Sequence, residues 1–206
     1  MADATAGHAR PVHVEQTSTG LPSTKLAMWL FLGSECLLFG ALITTYVLYR
    51  GASQTGPYPQ DVFDIPYTSV SSFVLLASSL TMVLSLTAAE KHDHARMRLW
   101  LLATAFLGMT FVGGQVYEFT HFYREGLSIS TNLFGTTFYV LTGFHGVHVT
   151  VGILMLLSLV GMSSTNRLPE DPAFPVELVG LYWHFVDIVW IVIFTVVYLI
   201  PNPVPK

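Results

Sequence analysis

Between Pro175 and Pro201 the chain reads VELVGLYWHFVDIVWIVIFTVVYLI, an apolar run long enough to cross a bilayer. His184 and Asp187 sit near its middle. A carboxylate at the membrane midplane is penalised by roughly 2.5–3.5 kcal/mol on insertion scales, so Asp187 has to face protein or trapped water and needs a partner. Three residues apart on a helix, the two side chains share a face, and Asp187 is expected to accept a hydrogen bond from His184. Trp183 and Trp190 share another stripe, expected to pack on a neighbouring helix or on lipid. Two readings of His184 and Asp187 stay open: a polar clasp between helices, or a direct part in moving protons.

Four more apolar segments precede this one, at about Lys25–Tyr49, Ser69–Ala89, Arg98–Thr120 and Leu133–Met162, with the last span at Val176–Ile200. Hydrophobic residues make up 52% of the chain and charged ones 11%, with a mean hydropathy of +0.56. These values exclude an ordinary soluble domain and predict an all-α polytopic bundle of five transmembrane helices. Residues 1–22 form a polar tail, carrying His8 and His13, without the apolar core of a signal peptide; residues 23–206 form the membrane domain. The longest link, Arg50 to Thr68, is rich in Gly and Pro and reads as a loop. Net charge is −4 with no basic run, which argues against nucleic acid as a partner. The single cysteine, Cys36, lies inside the first span and is a poor metal site by itself.

Orientation follows from the cations. Arg10, Lys25, Lys91, Arg96, Arg98 and Arg167 fall on one side of the membrane, and Arg50, Arg124 and Lys206 on the other. The positive-inside rule puts the N-terminus in the cytoplasm and the C-terminus outside.

Ionisable and polar groups inside the spans are the candidate functional residues. They are Glu35 in helix 1, Gln115 and Glu118 in helix 3, His145 and His148 in helix 4, and His184 and Asp187 in helix 5. Counted at about 1.5 Å per residue from the cytoplasmic ends, Glu35 lies roughly 15 Å deep and His184 and Asp187 roughly 12–16 Å deep, with His148 somewhat deeper. Helices 1 and 5, and helix 4 with them, are therefore expected to share one buried polar layer. Glu118 belongs near the outer end of helix 3, where Arg124 or His121 is expected to meet it. Gly33 and Gly40 give helix 1 a smooth strip, as Gly143, Gly146 and Gly152 do for helix 4, which suits close packing.

Spacing alone leaves three functions open. A bis-His haem protein needs imidazoles facing each other on two helices, for which His148 and His184 are the available pair. A small stand-alone transporter or proton channel would be built around Glu35, but the titratable groups cluster at one depth and no inverted repeat is visible. A structural subunit would use the polar layer to fix helix packing against a larger partner, and the spacing favours this reading.

Three segments carry a resemblance: GLYWHFVDIVWIVIF in helix 5, FGTTFYVLTGFHGVHVTVG in helix 4 and LFLGSECLLFGALITTY in helix 1. They resemble subunit III of the haem–copper terminal oxidases, in order from about Lys25 to Ile200, with LGMTFVGGQVYEF of helix 3 also similar. The resemblance implies a subunit of a cytochrome c oxidase without redox chemistry of its own. It implies direct packing on subunit I, with subunit II and small subunits nearby, and haem and copper held in those partners. It further implies retained structural phospholipids, support for proton uptake, and the plasma (inner) membrane of a bacterium. Glu35 takes the position of the family's carbodiimide-reactive membrane carboxyl. The two helices that precede helix 1 in the longest members are missing, which matches the short bacterial form. A quinol oxidase subunit III and the accessory protein of a nitric oxide reductase are the neighbouring alternatives.

Overall fold

The computed structural model describes residues 20, 22–53, 56–57 and 63–200. His8, His13, Arg10 and Lys206 lie outside them, as does part of the link after helix 1. Five helices are long and apolar enough to cross a membrane, and no strand forms among the described residues. They are α1 (Ser23–Tyr49), α2 (Ile65–Glu90), α3 (His94–Arg124), α4 (Leu133–Ser164) and α5 (Ala173–Phe194), which continues as a π turn over Thr195–Leu199. A backbone in lipid has to bond to itself, which leaves apolar runs of this length few choices but helix.

The helix ends follow local chemistry. Asp64, Asp93 and Asn132 cap α2, α3 and α4, each accepting from the backbone N–H three residues on, at 3.1, 3.0 and 2.7 Å. Asp64 and Pro66 start α2 well before Ser69, where apolar periodicity alone places it. The same stop closes α2, α3 and α4. The second residue past each helix turns left-handed (His92, Gly126 and Asn166), and the following N–H reaches back five residues, Asp93 to Ala88, Leu127 to Phe122 and Arg167 to Met162, at 2.9 Å each.

Helices α2 and α3 form the most extensive pair, α3 leads to α4, and α5 packs against both α2 and α4. The core along these seams is aromatic, with Trp183, Tyr182, Phe111, Phe134 and Phe138 almost fully buried. Helix α1 rests on α4 and, more lightly, on α5. Only 11% of its apolar window is buried, against 44% for α5, so most of α1 faces lipid or another protein. Gly33 and Gly40 have open space beside them, and Cys36 is exposed; among the described residues nothing packs against the smooth strip on α1. In α4 the expectation divides: Gly146 and Gly152 take close approaches, while Gly143 does not.

Candidate functional site

The expected single polar layer of helices 1, 4 and 5 divides into two groups facing different seams. One lies between α1 and α4. His148 Nε2 stands 3.1 Å from Glu35 Oε2, both side chains about 15% exposed. His148 Nδ1 lies 2.7 Å from the Phe144 carbonyl. A carbonyl only accepts, so Nδ1 carries hydrogen. Nε2 then either accepts from a protonated Glu35 or donates a second hydrogen to its carboxylate. In both cases one proton lies between the two side chains. Phe39 sits edge-on to His148 at 5.0 Å between ring centroids and shields the pair.

The second group lies between α5 and α2. His184 does not bond Asp187, contrary to the sequence reading; its Nδ1 meets the hydroxyl of Ser79, on α2, at 2.7 Å. Asp187 is 3% exposed, and neither carboxyl oxygen has a hydrogen-bond partner. Three residues on a helix place two Cβ atoms within reach, yet they leave a full arc between the side chains, and α2 enters that arc. Both tryptophans are also turned to α2, not to lipid. Trp183 Nε1–H donates to Ser78 Oγ at 2.9 Å and Trp190 Nε1–H to Ser72 Oγ at 2.8 Å. Each serine in turn donates to its own helix, Ser78 to Leu75 and Ser72 to Thr68. These hydroxyls are the partners that sequence reasoning missed. Their signal was present as serines and a threonine four, six and seven residues apart along α2 (Thr68, Ser72, Ser78, Ser85), all buried.

His145 is fully buried. It stacks on Trp190 at 4.9 Å between centroids, with Phe111 and Phe39 edge-on, and neither ring nitrogen has a partner. Gln115 Nε2 donates to the Thr142 carbonyl at 2.7 Å, one turn along α4 from His145, and its other amide atom lies against Gly146. A side chain at Gly146 would occupy the place of that amide.

Glu118 meets neither Arg124 nor His121. Thr68 Oγ1–H donates to its Oε1 at 2.7 Å, and the Tyr198 side chain faces the same carboxyl. The π turn that ends α5 carries Tyr198 to this position. His121 instead lies 3.6 Å from Glu125, one turn further along α3. Arg and His near a helix end stay in water more readily than they follow an acid into the bundle. At the end of the bundle where α1 and α5 begin, Lys25 Nζ reaches Glu177 Oε1 at 2.5 Å and ties α1 to α5.

Among the described residues no group of three His, Cys, Asp or Glu could hold a metal ion. The imidazoles do not converge either: His148 is turned to α1, His184 to α2, and His145 into an aromatic box. The haem geometry weighed from sequence, His148 facing His184, is therefore not formed. The arrangement can hold and pass protons; among the described residues no donor set fits haem or copper.

A family model described as cytochrome c oxidase subunit III matches residues 5–201. A probable quinol oxidase subunit 3 from Staphylococcus saprophyticus is 37% identical over 91% of this chain and 94% of its own length. A cytochrome c oxidase subunit 3 from Bacillus sp. strain PS3 is 39% identical over 84% of each chain. A cytochrome bo(3) ubiquinol oxidase subunit 3 from Pseudomonas aeruginosa is 37% identical over 86% of this chain and 85% of its own. The chain belongs to the cytochrome c oxidase subunit III family, and is thus a multi-pass membrane subunit of a haem–copper oxidase complex, an oxidoreductase assembly.

Proposed function

We propose that this chain is the non-redox accessory subunit of a proton-pumping terminal oxidase that reduces oxygen to water with electrons from cytochrome c. It packs directly on subunit I, near subunit II and any small subunits, in the plasma membrane of a bacterium. Its N-terminus lies in the cytoplasm and its C-terminus outside. Residues 1–22 act as a tail and 23–206 as the membrane domain. Haem and copper belong to the partner chains, and phospholipids are held along its flanks. The observation that carries the reading is the Glu35–His148 pair, a proton-holding couple at the edge of a helix whose remaining face is open to a neighbour. On this reading it supports proton delivery to the catalytic subunit, while the remaining buried polar residues brace the bundle.

Purification tests it. The chain should copurify with a haem-containing subunit. Stripping it away should leave initial oxygen reduction largely intact and shorten the working life of the enzyme. Immediate loss of all activity would contradict the accessory role, and ion flux driven by the isolated chain would favour a stand-alone transporter. A second reading, quinol as the donor, rests on relatives of nearly equal identity that bear quinol oxidase names. A copper-A signal in the copurifying partner selects cytochrome c.

A further inference from the structure

Where α2 leads into α3, an open cavity of about 470 Å³ lies between the end of one helix and the start of the next. Two cations rim it, Lys91 just past α2 and Arg96 in the first turn of α3. The acid between them is already engaged. Asp93 Oδ1 caps α3, accepting from the Arg96 backbone N–H at 3.0 Å, and Oδ2 stands 3.4 Å from Arg96 Nε. That contact uses one guanidinium nitrogen and leaves the two terminal ones for another acceptor. Lys91 has no ion pair among the described residues. The rim thus carries two positive charges against one negative, and most of its donors are unspent.

Below the rim the wall changes character. Trp100, four residues on from Arg96 and on the same face of α3, lines the cavity, and its N–H has no acceptor among the described residues. On α2, Ala88 and Leu84 lie three and seven residues back from Lys91 and share its face. At about 1.5 Å per residue, the order going inward is cations, an indole at roughly 6 Å and aliphatic carbon to roughly 10 Å. Leu80, one further turn along that face, is 64% exposed. A free phosphate would match the rim and leave the aliphatic floor uncovered. A phospholipid matches both, because phosphate, ester and acyl chain follow one another in the same order.

We propose that this cavity holds the headgroup of an anionic phospholipid, with its phosphate between Lys91 and Arg96. Its ester region lies against Trp100, and one acyl chain runs along Leu84 and Leu80. The inference rests on the membrane-subunit reading above and deepens it, giving one place and one headgroup charge to the lipids of the flank. On the orientation proposed there, the lipid belongs to the cytoplasmic leaflet. Arg96 offers a phosphate a planar pair of donors, and Lys91 a mobile point charge. Each such cation contributes about fivefold to the attraction of an anionic lipid.

Spin-labelled lipids in nanodiscs carrying the complete chain test it. In a phosphatidylcholine disc, a trace of labelled phosphatidylglycerol should show a motionally restricted population that labelled phosphatidylcholine lacks. Lys91→Gln and Arg96→Gln should each weaken that population about fivefold and together about 25-fold, while Lys91→Arg retains it. Arg167→Gln removes an exposed cation from the link between α4 and α5, on the same side of the bundle, and should change little. Equal restriction of the two lipids, or equal weakening in Arg167→Gln, would overturn the site. Displacement of the labelled lipid by millimolar inorganic phosphate would also overturn it, and would assign the rim to a soluble anion. The assay needs no partner chain, so a negative result leaves copurification with a haem-containing subunit untouched, and failed copurification leaves the lipid result standing.

Discussion

The ring of Trp183 lies against the backbone of Gly152: a Cβ on that glycine would fall 2.8 Å from the indole Cε3. Gly108 meets the same ring from α3, with a Cβ position 2.6 Å from Cη2. One tryptophan on α5 thus sets the approach of α3 and α4, and the indole is too well enclosed to move aside. Gly152→Ala and Gly108→Ala should each cost about 1–3 kcal/mol through overpacking. Denaturant titration of the purified chain in micelles reads this. Gly143→Ala, with nothing within 4 Å of its Cβ position, is the control and should change little.

The serine–indole pairs make a separate prediction. Ser72→Ala leaves the Trp190 N–H buried without an acceptor, for about 1–3 kcal/mol. Replacing both, Ser72→Ala with Trp190→Phe, should recover about 0.6 kcal/mol, and at most about 1.7, of the sum of the single losses, the mean and maximum for hydrogen bonds in membrane bundles. Strictly additive losses in that double-mutant cycle would mean that the bond in the structure contributes nothing.

For Glu35 the two natural substitutions should behave differently. Glu35→Gln can still bond His148 Nε2, donating an N–H to it or accepting from it through the amide oxygen, so stability should change by less than about 1 kcal/mol. Glu35→Leu removes the partner outright and should cost about 1–3 kcal/mol. Nitrogen NMR of labelled histidine gives a second readout: in Glu35→Gln, His148 Nδ1 should remain a hydrogen-bearing nitrogen, because it still faces the Phe144 carbonyl. A bare Nδ1 there would contradict that geometry.

Thr68→Val removes the hydroxyl that donates to Glu118 at 2.7 Å, while keeping the shape of the side chain. With Glu118 only 7% exposed, the loss should be about 1–3 kcal/mol, seen as a lower unfolding midpoint. His121→Ala, one turn from the carboxyl and paired with Glu125 at the surface, should be close to neutral. The reverse ranking would restore His121 as the partner of Glu118.

Five spans are legible in the sequence because length and hydropathy in a bilayer leave one solution: an apolar run of that size, with every backbone group bonded inside it, is a helix. The same chemistry made Glu35, His148, Gln115, Glu118 and Asp187 stand out, since a polar group at that depth needs a reason. Rise per residue also brought Glu35 and His148 to similar depth, and they do meet. Depth, however, is one coordinate. The rotation of each helix about its axis decides which seam a side chain enters, and that rotation is fixed by steric fit, such as Trp183 between Gly108 and Gly152. Rotation is what turns His184 toward Ser79 on α2, and Tyr198 rather than Arg124 toward Glu118. The chain's apolar pattern therefore determined that it crosses a membrane and which polar groups it buries. Only the packed bundle decided who partners whom, because hydrogen bonds act over about 3 Å and no one-dimensional pattern resolves contacts that short.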